Sequence, residues 1–264
     1  MENGLALEFR GVRKSFGEKP VLRGLDLEIP SGATTTILGG SGSGKSVCLK
    51  HLIGLLRADA GQVFVLGRDV TRLPEADWVS LRRSFGMVFQ GAALFDSLSV
   101  YENVAYPIRE HMDWPEERVR ERVRRCLEGV GLAGIEALFP AELSGGMKKR
   151  VAVARAIALE PRIVLYDEPT TGLDPANSRR IGRLIATLQR QLAATSVVVT
   201  HDIELCFAVS DRVALLRDGR LAAEGRAEEV RAHAELRRFL EGEGGGEPPA
   251  PGAGAFAAEG GTHG

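Results

Sequence analysis

Thr34-Thr35-Thr36-Ile37-Leu38-Gly39-Gly40-Ser41-Gly42-Ser43-Gly44-Lys45-Ser46 is the stretch on which the reading of the chain turns. Its first five residues are β-branched or apolar, as in a buried strand. Residues 39–46 then fit the spacing G-x-x-x-x-G-K-[ST], and Leu49, Leu52, Ile53 and Leu56 follow at helical spacing. Gly40, Gly42 and Gly44 let the backbone curl until successive N–H groups face one anion. Lys45 offers charge to β- and γ-phosphates, the Ser46 hydroxyl suits Mg2+, and the helix adds its positive end. Gly39, Gly40, Ser41, Gly42, Ser43, Gly44, Lys45, Ser46 and Val47 are therefore the expected phosphate contacts. A chance match in a Gly-rich turn would lack this strand–loop–helix frame.

Downstream, Ile163–Tyr166 and Val197–Thr200 are continuous apolar or β-branched runs, as expected of parallel strands covered on both faces. The first run ends in Asp167-Glu168 and the second in His201. In an open parallel sheet, ligands gather at the carboxyl ends of the strands. Asp167 is then expected on Mg2+ through water. Glu168 is expected to polarise the attacking water, and His201 to meet the γ-phosphate and that water. Two solvated acids at a strand end explain the pair alone equally well; a second strand bringing His201 to the same edge favours the site.

Working outward, the first ninety residues read mainly as strands, with Leu5–Phe9, Val21–Ile29, Gln62–Leu66 and Phe85–Phe89 added to Thr34–Leu38. From about 91 to 160 the pattern turns helical. Pro115-Glu116-Glu117 starts a helix whose apolar face is Val119, Val123, Leu127 and Val130. Arg118, Arg120, Glu121, Arg122, Arg124 and Arg125 read as its solvated face. Ile181, Leu184, Ile185, Leu188 and Leu192 mark another amphipathic helix, and Arg217-Asp218-Gly219 marks a hairpin turn. The alternation implies an α/β fold: a P-loop NTPase (RecA-like) core, an antiparallel β subdomain and an inserted α-helical subdomain. The expected division is one unit over 1–240, with helices at about 91–160, and a flexible tail over 241–264. That tail is rich in Gly, Ala, Pro and Glu, with Phe256 as its one aromatic.

Composition narrows the function. A formal net charge of −1, with 44% hydrophobic and 26% charged residues, offers no bulk attraction for nucleic acid. Cys48, Cys126 and Cys206 are isolated, which argues against a zinc site or a disulfide framework and fits a reducing compartment. Met1-Glu2-Asn3-Gly4 lacks a signal-peptide pattern, and no apolar run approaches the roughly 18–20 residues that span a bilayer. A membrane role would need a partner protein.

Leu143-Ser144-Gly145-Gly146-Met147, twenty residues before Ile163, is the most specific segment. With it in place, residues 5–240 resemble the ATPase subunit of ATP-binding-cassette transporters. Phe16 matches the adenine-stacking aromatic and Gln90 the coupling glutamine near the metal and the reacting water. Gly172-Leu173-Asp174 matches the loop that crosses the dimer. Met147 replaces the commoner Gln, and Gly40 the usual Pro. The resemblance implies ATP and Mg2+ as ligands and a head-to-tail dimer. Ser144, Gly145 and Gly146, with Asp174 nearby, would complete the partner's ATP site.

Residues 89–95 (FQGAALF), 100–111 (VYENVAYPIREH) and 143–158 (LSGGMKKRVAVARAIA) further resemble bacterial lipid-transport ATPases of the Mla type. That implies a permease contacting 90–111, an MCE-type lipid-binding protein in the complex, a possible small regulatory subunit, and a peripheral location on the cytoplasmic face of the inner membrane. Residues 237–242 resemble the lead into that group's C-terminal extension. Three other readings compete: an importer of a polar solute such as an amino acid, a soluble cassette acting on nucleic acid, and a P-loop kinase. One cassette without a coiled-coil heptad run disfavours the second, and the signature pentad is unexplained by the third.

Overall fold

The computed structural model describes residues 4–242, so all of the expected tail after Gly242, Phe256 included, lies outside the described residues. The chain forms two sheets. A four-stranded antiparallel sheet has the order β2-β1-β4-β5, from β1 (Leu5–Phe16), β2 (Lys19–Pro30), β4 (Ala60–Val65) and β5 (Arg68–Asp69). The second, six-stranded sheet has the order β10-β9-β3-β8-β7-β6. It contains β3 (Thr34–Leu38), β6 (Phe85–Val88), β7 (Ile163–Asp167), β8 (Thr195–Thr200), β9 (Arg212–Arg217) and β10 (Arg220–Arg226). All its pairings are parallel except that of β10 with β9.

The apolar runs explain the layering. Ile163, Leu165, Val197 and Val199 share one core with α1 (Lys45–Leu52) and the antiparallel sheet. Val164, Tyr166 and Val198 point the other way, into a core built mainly by α3 (Val100–His111), α4 (Glu116–Gly129), α5 (Gly145–Ala156) and α6 (Pro175–Leu192), with Leu205 and Val209 added from the helix after β8. Alternate residues of one strand therefore serve two cores, and neither face of the strand has room for a polar side. A third, smaller cluster lies under α7 (Ile203–Val209), α8 (Ala227–Ala232) and α9 (Ala234–Leu240).

Two close approaches fix the assembly. A Cβ on Gly86 of β6 would lie 2.3 Å from the Ala156 carbonyl oxygen, so the end of α5 presses directly on that edge strand. In the β9–β10 hairpin, Asp218 and Gly219 are both left-handed (φ 50° and 74°), as a two-residue turn of this twist requires. The Gly219 carbonyl accepts from Arg23 N at 2.9 Å and ties the hairpin to β2.

Several expectations need correcting. The helix begun at Lys45 stops at Leu52 rather than running to Leu56, because the chain turns through left-handed Gly54 (φ 71°) against the Trp78 ring. Trp78 belongs to α2 (Glu75–Arg82), a helix too short to show periodicity among residues read as strands; α7 also went unread. β1 extends past Phe9 to Phe16, with register irregularities where left-handed Gly11 breaks the alternation. On α4, Arg124 and Arg125 pair with Glu121 in solvent, but Arg122 turns inward. Its guanidinium donates to the carbonyls of Ile157 and Ala158 and closes the end of α5.

Candidate active site

The three strand ends read from sequence converge. Glu168 Oε2 lies 2.9 Å from His201 Nδ1 and accepts from Thr200 Oγ1 at 3.3 Å, while Oε1 lies 3.7 Å from Lys45 Nζ. One carboxylate therefore bridges the lysine of the phosphate loop and the histidine after β8. Glu168 holds a left-handed backbone (φ 47°), a conformation that costs an ordinary residue about 1 kcal/mol. The Glu168 N–H donates to Val199 O at 2.8 Å, and Thr171 Oγ1 donates to Oε2 at 3.4 Å, which together hold that turn.

Lys45 is buried, and its ammonium donates to the carbonyls of Gly39 and Gly40 at 2.8 Å each. Burial pulls its pKa below the usual lysine range, and Glu168 partly offsets this. The Ser46 hydroxyl donates to Asp167 Oδ1 at 3.1 Å. Burial raises the Asp167 pKa, partly countered by that bond. The loop has little slack: a Cβ on Gly39 would lie 2.4 Å from Leu216 O, and one on Gly44 (φ 107°) would lie 2.9 Å from Leu22. Ser43 Oγ is buried in the loop without a hydrogen-bond partner, a polar atom suited to a phosphate oxygen. A hydroxyl and a carboxylate 3.1 Å apart are hard-oxygen donors, the kind Mg2+ takes alongside phosphate and water. The residues present thus fit a nucleotide with its metal. Gly42 is left-handed, Ser41 is exposed, and Val47 is half-buried on α1.

The remaining expected residues surround this cluster. Phe16 is 48% exposed at the end of β1, with the Lys14 ammonium 5.6 Å from its ring centroid. Gln90 follows β6 with its side chain exposed. Ser144 caps α5, its hydroxyl accepting from Met147 N at 3.3 Å, and Ser144 and Gly145 face solvent. Asp174 caps α6 by accepting from Ala176 N and Asn177 N at 3.0 Å, and its pKa is lowered chiefly by the Asn177 amide. A Cβ on Gly146 would touch Asn177 Oδ1 at 3.0 Å, and one on Gly145 would lie 3.8 Å from Leu173. The signature turn and the loop 172–174 therefore form one exposed edge, separate from the Lys45–Glu168–His201 contacts.

Four contributors escaped the sequence reading. Thr200 and Thr171 support Glu168. Lys149 of α5 is buried and donates to the Gln90 carbonyl. Arg155 donates to the carbonyls of Ala93 (2.8 Å) and Ala92 (3.0 Å), both left-handed residues. Lys149 had a sequence signal: it precedes Ala152 and Val153 by three and four residues, which sets a cation on an apolar face.

Strand order, phosphate loop and clustered strand ends together are those of a P-loop NTPase. The ABC transporter family model matches residues 22–171, and the chain belongs to this family of ATP-hydrolysing cassettes. It is 41% identical over 239 residues to the intermembrane phospholipid transport system ATP-binding protein MlaF of Haemophilus influenzae, covering 90% of both chains. It is also 41% identical over 241 residues to the probable ribonucleotide transport ATP-binding protein mkl of Mycobacterium tuberculosis, covering 90% of this chain and 67% of that one. Among solved structures, cbiO1 of Clostridium perfringens superposes with a TM-score of 0.81 at 32% identity, covering 91% of this chain and 95% of that one. A dimeric post-hydrolysis state of the cassette MJ0796 bound to ADP and Pi gives 0.77 at 33% identity, covering 84% and 98%.

Proposed function

We propose that this chain is the ATP-hydrolysing subunit of a phospholipid transporter and acts as a head-to-tail dimer on a membrane permease. The observation that carries the catalytic part is the Glu168 carboxylate, held between Lys45 and His201. In this reading the phosphate loop and Lys45 bind the β- and γ-phosphates, and Phe16 stacks on adenine. Ser46, Asp167 and Gln90 would hold Mg2+, which would supply positive charge beside the phosphates. Glu168 orients the attacking water and accepts its proton, while His201 faces the γ-phosphate. Phosphoryl transfer depends mainly on such positioning and electrostatics. Ser144, Gly145 and Gly146 cap the partner's nucleotide at a helix N-terminus, with Asp174 on the same edge.

The membrane assignment rests on 90–111. Phe95 and Tyr106 pack ring to ring at 5.0 Å and are both more than 40% exposed, which suits a permease contact. No helix among the described residues is long and apolar enough to cross a membrane. The phospholipid cargo follows the MlaF relative, which this chain matches over nearly its full length. The mkl match at equal identity favours a second reading, a polar solute.

Glu168→Gln tests the catalytic part: ATP binding persists, turnover falls at least about 100-fold, and the dimer is trapped with ATP. Normal turnover in that variant overturns the assignment. Purification from the native membrane tests the cargo. Recovery with a permease and an MCE-type protein supports phospholipid, and recovery with a solute-binding protein rejects it.

A further inference from the structure

α5 carries the signature turn at its exposed start and, one turn later on its inner side, the buried ammonium of Lys149. That ammonium donates to the Gln90 carbonyl and lies 3.5 Å from the Glu168 carbonyl oxygen. Both acceptors are backbone groups of segments that carry functional side chains. One is the exposed loop at Gln90, and the other is the left-handed turn at Glu168. Desolvating an ammonium is costly, and an apolar side chain at 149 would continue the layer of Val151, Ala152 and Val153 without that cost. Burial lowers the Lys149 pKa, while the Asp167 and Glu168 charges favour its charged form. The cation thus sits where it can hold two backbone segments at once. Arg155, two turns on, grips the same loop at Ala92 and Ala93.

We infer that Lys149 is a positioning residue that joins the two nucleotide sites of the dimer. It holds the Gln90 loop and the Glu168 backbone in register with Ser144–Gly146, so docking of the partner's ATP at the start of α5 sets the alignment of the base in its own subunit. The inference rests on the catalytic assignment proposed above and adds to it a path from one site to the other. Misplacing a reacting group by about 1 Å costs up to about 100-fold in rate, so the effect belongs in kcat rather than in ATP binding.

The test uses the full chain with Lys149→Met and Lys149→Arg, each with Glu168 intact and with Glu168→Gln, and Mg-ATP as ligand. With Glu168 intact, Lys149→Met lowers kcat at least about tenfold and changes the KM for ATP less than about twofold. With Glu168→Gln, Lys149→Met still traps the ATP dimer, showing a clamp that closes without firing. Lys149→Arg, which keeps the charge and the donors, restores most of kcat. Wild-type kcat in Lys149→Met overturns the inference. So does joint loss of turnover and trapped dimer that Lys149→Arg does not rescue, since that marks a merely structural role. If Glu168→Gln alone turns over ATP, the catalytic assignment itself has failed, whatever residue 149 does.

Discussion

His51 shows how a single residue ties the phosphate loop to pH. It lies on the inner side of α1, with Nδ1 2.7 Å from the Val47 carbonyl, so the neutral ring donates there. Nε2 is buried without a hydrogen-bond partner, and burial lowers the pKa, opposed chiefly by the bond to the Val47 carbonyl, with Lys14 adding to the lowering. The sign follows directly: below the unfolded-state value of about 6.5 the unfolded chain takes up a proton that the folded chain resists, so stability is lost as pH falls. Urea unfolding from about pH 7 to about pH 5 should show this loss, and His51→Gln should flatten it. At this scale the site was readable wherever a motif names the atom. Asp167, Glu168 and His201 sit at or just past strand ends, Lys45 and Ser46 open the helix after the loop from β3, and parallel pairing of β3, β8 and β7 turns their spacing in sequence into proximity. Thr200 and Thr171 were not readable, because a hydroxyl one or three residues from a motif residue looks like any β-branched strand or turn residue.

The element that most repays attention is α3 with the loop before it. Ser99 and Glu102 form a reciprocal capping box at its start. Asn103, fully buried, accepts from Phe95 N at 2.9 Å and donates to the carbonyls of Phe95, Leu98 and Ser99 at 3.0–3.1 Å. One amide thereby replaces the missing partners of a loop that has no sheet or helix to pair with. Asn103→Ala should destabilise the fold by about 2 kcal/mol, the cost of removing the partners of Phe95 N and the Leu98 carbonyl in a part-buried loop, as read by urea unfolding. It should also weaken any complex made through Phe95 and Tyr106, because the loop under Phe95 loses its anchor. Elements with sustained periodicity were legible: α4, α6 and the two apolar strands emerged from spacing alone. α2 and α7 were not, since eight and seven residues give too few turns for a face to declare itself.

At the scale of the whole molecule, the proposed site falls into two separate parts of the chain. The Lys45–Glu168–His201 cluster gathers around one carboxylate, while Ser144, Gly145 and the loop 172–174 form a separate exposed edge. In mixed dimers of Ser144→Arg with Lys45→Ala, one composite site carries both lesions and the other carries neither. Turnover should therefore reappear on mixing two inactive variants. Absence of recovery, with mixed dimers demonstrated, would mean that each subunit completes its own site. The division of the chain into sheets and helices was legible, but the packing of α5 on the sheet was not, because Gly86 in a short strand says nothing of what approaches it. That contact has a mechanical consequence. α5 is braced at its far end by Gly86 against Ala156 and by Arg122 on the carbonyls beyond, and one turn from its start by Lys149 on the Gln90 and Glu168 carbonyls, while Ser144 and Gly145 themselves face solvent. Twelve residues give a lever arm of about 18 Å, so a tilt of about 5° about Ala156 carries Ser144 through roughly 1.5 Å, enough to make or break a hydrogen bond.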